Sequence, residues 1–102
     1  MRLQDRVAIV TGGARGIGAG IGRALAAEGA RVAVVDLDEE QATATAAELG
    51  GGAIALRADL AEEADVAALV EKVISRFGRL DFMVNNAGAG RAPVETSTPL
   101  ED

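Results

Sequence analysis

The chain has 102 residues, which bounds it to one small domain with a core of its own. Its net charge of −6 comes with basic residues scattered rather than clustered, which argues against a nucleic-acid or anionic-membrane partner. Cysteine and histidine are both absent, which excludes a disulfide framework, a reactive thiolate and the usual transition-metal ligands.

Hydrophobic residues make up 49% of the chain but aromatics only 2%, so the core has to be built from Ala, Val, Leu and Ile, the composition of a helix-covered parallel sheet. The opening residues are too charged for a signal peptide, and no apolar run approaches the length of a membrane span. A soluble protein of the cytoplasm is expected.

Residues 6–10, a β-branched run bounded by charge, predict a strand buried on both faces. Thr11, Gly12, Gly13, Ala14, Arg15, Gly16, Ile17 and Gly18 follow, four glycines in eight positions, and Ile17, Ile21, Ala24 and Leu25 then recur at helical spacing. The glycines therefore sit where a strand ends and a helix begins. A helix start offers free backbone N–H groups and the positive end of the dipole, and a glycine without Cβ lets a diphosphate approach them. A strand-to-helix turn also wants glycine for conformational reasons alone, so the cluster needs support from elsewhere.

Gly29 stops the first helix, and residues 32–35 form a second buried strand that ends in Asp36. Gly20 and Gly22 lie inside that helix at about 1 kcal/mol each relative to alanine; they mark either close helix-to-strand contact or no role at all. Asp38 to Gln41 resembles a capping box, Ala42, Ala46 and Leu49 make a thin apolar stripe, and Gly50 to Gly52 end the second helix. Residues 53–56 are a third strand running into Asp59 and Leu60. Val66, Leu69, Val70, Val73, Ile74 and Phe77 then give the strongest helical periodicity in the chain, stopped by Gly78. Residues 80–84 are a fourth strand closing on Asn85, Asn86, Ala87 and Gly88. Beyond Gly90 both prolines and a run of hydroxyl residues read as a loop.

This β-α-β-α-β-α-β alternation predicts an α/β fold, a doubly wound parallel sheet of the Rossmann type with strand order 3-2-1-4. Ligands bind where that order reverses, beyond the carboxyl ends of strands 1 and 4, and both marked turns fall there. The division expected is a dinucleotide-binding portion over residues 1–88 and a loop over 89–102.

The glycine spacing separates known fingerprints. G-x-G-x-x-G fails because Ile21 stands where its third glycine belongs, and the Walker pattern fails because the only lysine is Lys72. T-G-x-x-x-G-x-G fits at Thr11, Gly12, Gly16 and Gly18. With that spacing the chain resembles the short-chain dehydrogenase/reductase family; the family's extended branch would place glycine at Arg15. Asp36 stands roughly 20 residues past the turn, where a carboxylate can accept hydrogen bonds from an adenosine ribose. Without a ligand it is equally a loop aspartate capping the next helix.

The resemblance implies further roles. Asp59 and Leu60 match the family's pair after strand 3, the carboxylate meeting the adenine amino group and the next backbone lining the ring, although a bare acid there can equally cap a helix. Ala61 stands where the family places a Ser or Thr cap, a departure worth about 1 kcal/mol of stability. Asn86, Ala87 and Gly88 match its N-N-A-G turn, on the nicotinamide side. Thr11, Gly12, Arg15, Gly16, Ile17, Gly18, Asp36, Leu37, Asp59, Leu60, Asn86, Ala87 and Gly88 are thus the expected cofactor contacts. The Asp36 carboxylate repels a 2′-phosphate, and Leu37 supplies no cation, which favours NAD; Arg15 beside the turn points to NADP and weighs less.

The implied activity is hydride transfer between a nicotinamide cofactor and an alcohol or carbonyl substrate, and the implied assembly is a dimer or tetramer. The family's acid–base chemistry rests on a Ser and a Tyr-x-x-x-Lys motif. This chain has no tyrosine, and Lys72, Ser75 and Ser97 lack partners for that role, so these 102 residues alone are expected to be inactive. The expectation is an amino-terminal portion, truncated before a fifth strand, with strand 4 left as an apolar edge. The alternative is a stand-alone dinucleotide-binding module without turnover, or a purely structural α/β domain without nucleotide affinity.

Overall fold

The computed structural model describes residues 2–86. Four parallel strands, β1 (Val7–Thr11), β2 (Arg31–Asp36), β3 (Ile54–Arg57) and β4 (Phe82–Asn85), alternate with three helices, α1 (Gly16–Ala27), α2 (Glu39–Leu49) and α3 (Glu63–Phe77). The sheet order is β3-β2-β1-β4, the predicted one. Side chains alternate across a strand, so the continuous apolar runs of β1 and β2 supply two cores at once. Val7, Ile9, Ala33 and Val35 pack with Leu69 and Val73 of α3, while Val10, Val32 and Val34 pack with Ala42 and Ala46 of α2 and, partly buried, Ile21 and Leu25 of α1.

The strands are each shifted or extended by one or two residues from the sequence expectation, and two of the boundaries that differ have a clear local setting. Thr11 belongs to β1 rather than to the turn, because it stays in register with Val35 on one side and Asn85 on the other. Helix α3 is capped not at Ala61 but at Glu62, whose side chain makes no cap bond. Two carboxylates build that entrance instead: Asp59 Oδ1 accepts from the Ala61 N–H (3.0 Å), and Asp65 reaches back to the Asp59 N–H (2.8 Å).

The two helix-interior glycines part company. A Cβ at Gly22 would stand 3.3 Å from Leu49 Cδ1 of α2, whereas one at Gly20 would meet nothing within 4 Å. Close packing explains Gly22 and leaves Gly20 without a role.

At the sheet edge β4 pairs with β1 alone among the described residues, with Phe82 and Met83 exposed at 39% and 37%, the predicted apolar edge. Its register is pinned by Asp81. The Asp81 N–H donates to the Val7 carbonyl (2.9 Å), and its Oδ2 accepts from the Val7 N–H (2.9 Å). Arg79 grips the same carboxylate at 2.8 and 2.9 Å. That grip first, and the Val7 N–H second, hold the Asp81 carboxyl at about 2, below its ordinary 3.8. A carboxyl depressed on folding stabilises the fold above its unfolded value and loses that contribution as it protonates. Stability is accordingly expected to fall as pH drops from about 4 to about 2, and Asp81→Asn to flatten that slope, as read from urea unfolding at a series of pH values.

Candidate functional site

The site gathers at the carboxyl ends of the strands, and its centre is the turn of residues 12–15 between β1 and α1. Nearly every peptide in the first half of this turn is tied to a neighbouring element. The Thr11 hydroxyl, fully buried, lies 3.2 Å from the Val84 carbonyl and accepts from the Asn86 N–H at 2.9 Å. The Asn86 side-chain amide donates to the Gly12 carbonyl at 3.1 Å. The Gly13 N–H donates to the Val35 carbonyl at 3.1 Å, and the Ala14 N–H to Asp36 Oδ2 at 3.1 Å. Thr11 and Asn86 thus fasten the turn to β4, while Val35 and Asp36 fasten it to β2.

Helix α1 opens immediately afterwards and is built differently from the other two. Asp38 caps α2 by accepting from the Gln41 N–H (3.0 Å), with Glu39 and Glu40 in the first turn; Glu63 and Asp65 occupy the first turn of α3. The first turn of α1 holds no acid, no side chain caps it, and its N-cap residue is Arg15. The opening N–H groups of Gly16, Ile17 and Gly18 thus have neither a side-chain cap nor a first-turn acid beside them, the arrangement in which a helix start can receive an anion.

At Gly18 the close approach is one of the protein to itself. A Cβ there would run into the Gly12 carbonyl oxygen and stand 2.7 Å from Asn86 Nδ2, so the helix start, the turn and the end of β4 meet in a space only hydrogen can fill. Gly16 enters the helix at φ +57°, the left-handed region where a side chain strains the backbone.

Asp36 is partly buried and uses both carboxylate oxygens on backbone: Oδ2 for Ala14, and Oδ1 for the Asp38 N–H (3.2 Å). The second bond replaces the return half of the capping box predicted from Asp38 to Gln41. A carboxylate has about four acceptor positions, so lone pairs remain for a ligand hydroxyl. Arg15, rather than lying free, pairs with Asp38 at 2.6 Å. The Gln41 N–H first and this guanidinium second hold the Asp38 carboxyl below its ordinary value.

Ile17 and Leu37, both placed among the expected contacts, are large apolar side chains left 73% and 46% exposed beside this crevice. Asp59 and Leu60 follow β3, two strands from β1; Asp59 serves its own turn through Oδ1, and Leu60 leans partly buried on the α3-side core. No hydrogen bond joins them to the glycine turn among the described residues. Ala87 and Gly88 lie outside the described residues. Lys72 and Ser75 are exposed on α3, away from the strand ends.

One residue escaped the sequence reading. Thr45 of α2, only 3% exposed, donates to the Ala14 carbonyl at 2.7 Å. The two peptides that flank the Ala14 Cα are thereby both held, the N–H of one by Asp36 and the carbonyl of the other by Thr45. The signal was present, since Thr45 completes the stripe of Ala42, Ala46 and Leu49 at i+3 from its start. Thr45→Val keeps the shape but strands a buried carbonyl. It is expected to lower stability by about 1–3 kcal/mol in urea unfolding, with Thr45→Ser restoring most of it.

Comparison with known proteins agrees with this architecture. The short chain dehydrogenase family model matches residues 6–102. D-threitol dehydrogenase of Mycolicibacterium smegmatis is 51% identical over 99% of this chain and 40% of its own length. Rabbit (Oryctolagus cuniculus) L-fucose dehydrogenase is 48% identical over 99% of the chain and 34% of its own length. The chain thus spans well under half the length of these relatives. A 3-ketoacyl-(acyl-carrier-protein) reductase from Brucella melitensis, solved with NADH, superposes with a TM-score of 0.76 at 42% identity, covering 79% of this chain and 33% of that one. With the family match running from the first strand onward, over the glycine turn and the strand ends that hold it, the chain belongs to the short-chain dehydrogenase family.

Proposed function

We propose that this chain is the dinucleotide-binding portion, residues 1–88, of an oxidoreductase that moves a hydride between a nicotinamide cofactor and an alcohol or carbonyl substrate, with NAD preferred over NADP. The observation that carries the reading is the contrast between α1 and its neighbours: one helix start stripped of caps and acids, behind a turn fixed on several sides. The tight packing of Gly18 against the Gly12 carbonyl and the Asn86 amide holds that helix start against the turn.

In this reading the N–H groups of Gly16, Ile17 and Gly18 hold the diphosphate, with Thr11 and Gly12 shaping the turn beneath it. Asp36 accepts from the adenosine ribose, Leu37 with Asp59 and Leu60 borders the adenine, and Asn86, Ala87 and Gly88 flank the nicotinamide-side ribose. Ile17 gains cover over an apolar side chain now facing solvent. When bound, the nicotinamide ring supplies the hydride acceptor or donor; the chain's part is to orient it. The preference for NAD rests on Asp36, a carboxylate placed at the ribose where a 2′-phosphate brings like charge.

Calorimetric titration with NAD and NADP tests the proposal on this chain and on the protein that carries it. Saturable binding of NAD, tighter than NADP, is the expected result. Tighter NADP binding overturns the preference, and binding of neither overturns the function.

A further inference from the structure

Arg15 and Asp38 carry an inference that rests on the reading above and sharpens its account of cofactor choice. Arg15 is the N-cap residue of α1, so its guanidinium is the cation nearest the opening N–H groups along the chain. It does not stand free. Its Nη2 donates to Asp38 Oδ2 at 2.6 Å, across the gap from the glycine turn to the start of α2, and no other carboxylate pairs with it among the described residues.

Asp38 is itself fixed. Its Oδ1 accepts from the Gln41 N–H, and its own N–H donates to Asp36 Oδ1. Arg15 is therefore tethered to a residue whose backbone is bonded to the ribose-facing carboxylate. A 2′-phosphate seeking Arg15 has to displace a carboxylate already in contact with it, and has to do so between two acids, Asp36 and Asp38. An unmodified ribose meets neither obstacle.

We infer that Asp38 is a cofactor-specificity residue: by holding Arg15 it withholds from NADP the guanidinium that the turn otherwise offers. Asp38 acts through Arg15, not by touching the cofactor.

Asparagine at 38 tests this cleanly, because it caps a helix about as well as aspartate and so leaves the start of α2 in place. The measurement is the ratio of NADP to NAD dissociation constants, by calorimetry at low ionic strength, for the wild-type protein, Asp38→Asn, and Asp38→Asn combined with Arg15→Gln. Asp38→Asn is expected to shift the ratio toward NADP by about fivefold, the scale of one partly exposed ion pair, and the double variant to retain about twofold or less. An unmoved ratio in Asp38→Asn overturns the inference. So does a shift that persists in full without Arg15, which would assign the effect to loss of the carboxylate or to Arg57, the exposed cation opposite Asp36 in the β2–β3 register. A wild-type protein that binds neither dinucleotide overturns the proposed function and this inference together, whereas NAD binding with a fixed ratio removes the inference alone.

Discussion

Replacing Gly18 with alanine is expected to abolish measurable NAD binding and to lower stability by about 3 kcal/mol or more, at the upper end for overpacking. The added methyl has no route of relief. Its first obstacle is the Gly12 carbonyl oxygen, a backbone atom, and its second is Asn86 Nδ2 at 2.7 Å, which already donates to that same carbonyl. Moving Gly12 disturbs the turn that Thr11, Val35 and Asp36 hold, and moving Asn86 breaks the tie to β4. Retreat of the helix start instead carries the N–H groups of Gly16, Ile17 and Gly18 away from the crevice. Each relaxation damages the proposed anion site.

Gly20→Ala supplies the control on the same helix. Its Cβ meets nothing, so the usual advantage of alanine in a helix interior, about 0.5–1 kcal/mol, is expected in full, with NAD affinity unchanged. The pair is read by urea unfolding and calorimetry side by side. If Gly18→Ala bound NAD like the parent, the close approach at the turn would have no part in cofactor binding.

Much of this was legible because the informative signals are local. The alternation of buried runs and periodic stripes yields the strand order, and T-G-x-x-x-G-x-G places the turn. Asp38 reads as a cap from its spacing to Gln41 and does accept that N–H. What could not be read is where polar atoms find partners far along the chain. Thr45 reads as one more position on the buried stripe of α2, but only the fold shows that its hydroxyl meets Ala14, 31 positions earlier. Arg15 reads as a cation beside the turn, and its pairing with Asp38, 23 residues on in another element, is not visible in the sequence. Asp36 reads correctly as an acid at the strand end, but its two backbone bonds depend on the turn folding over it. Periodicity reports which face is buried; it carries no information about which carbonyl a buried hydroxyl will meet.

Those two backbone bonds make Asp36 the position where structure and binding are hardest to separate, and Asp36→Asn separates them by its chemistry. Asparagine has the same shape, but only one of its two terminal atoms accepts. Either the Ala14 N–H or the Asp38 N–H must then face an NH2 group, so one charge-assisted bond is lost and replaced by opposed donors. Stability is expected to fall by about 2 kcal/mol, within the range for a hydrogen bond to a charged group. If Asp36 also accepts from the adenosine ribose, NAD affinity falls by about thirtyfold, a further 2 kcal/mol at 1.4 kcal/mol per decade. NADP affinity falls less, because removing the negative charge relieves repulsion at the 2′-phosphate. The two cofactors respond unequally only if the carboxylate lies against the ribose; a loss confined to unfolding, with both affinities retained, would leave Asp36 as a clamp between β2 and the glycine turn and nothing more.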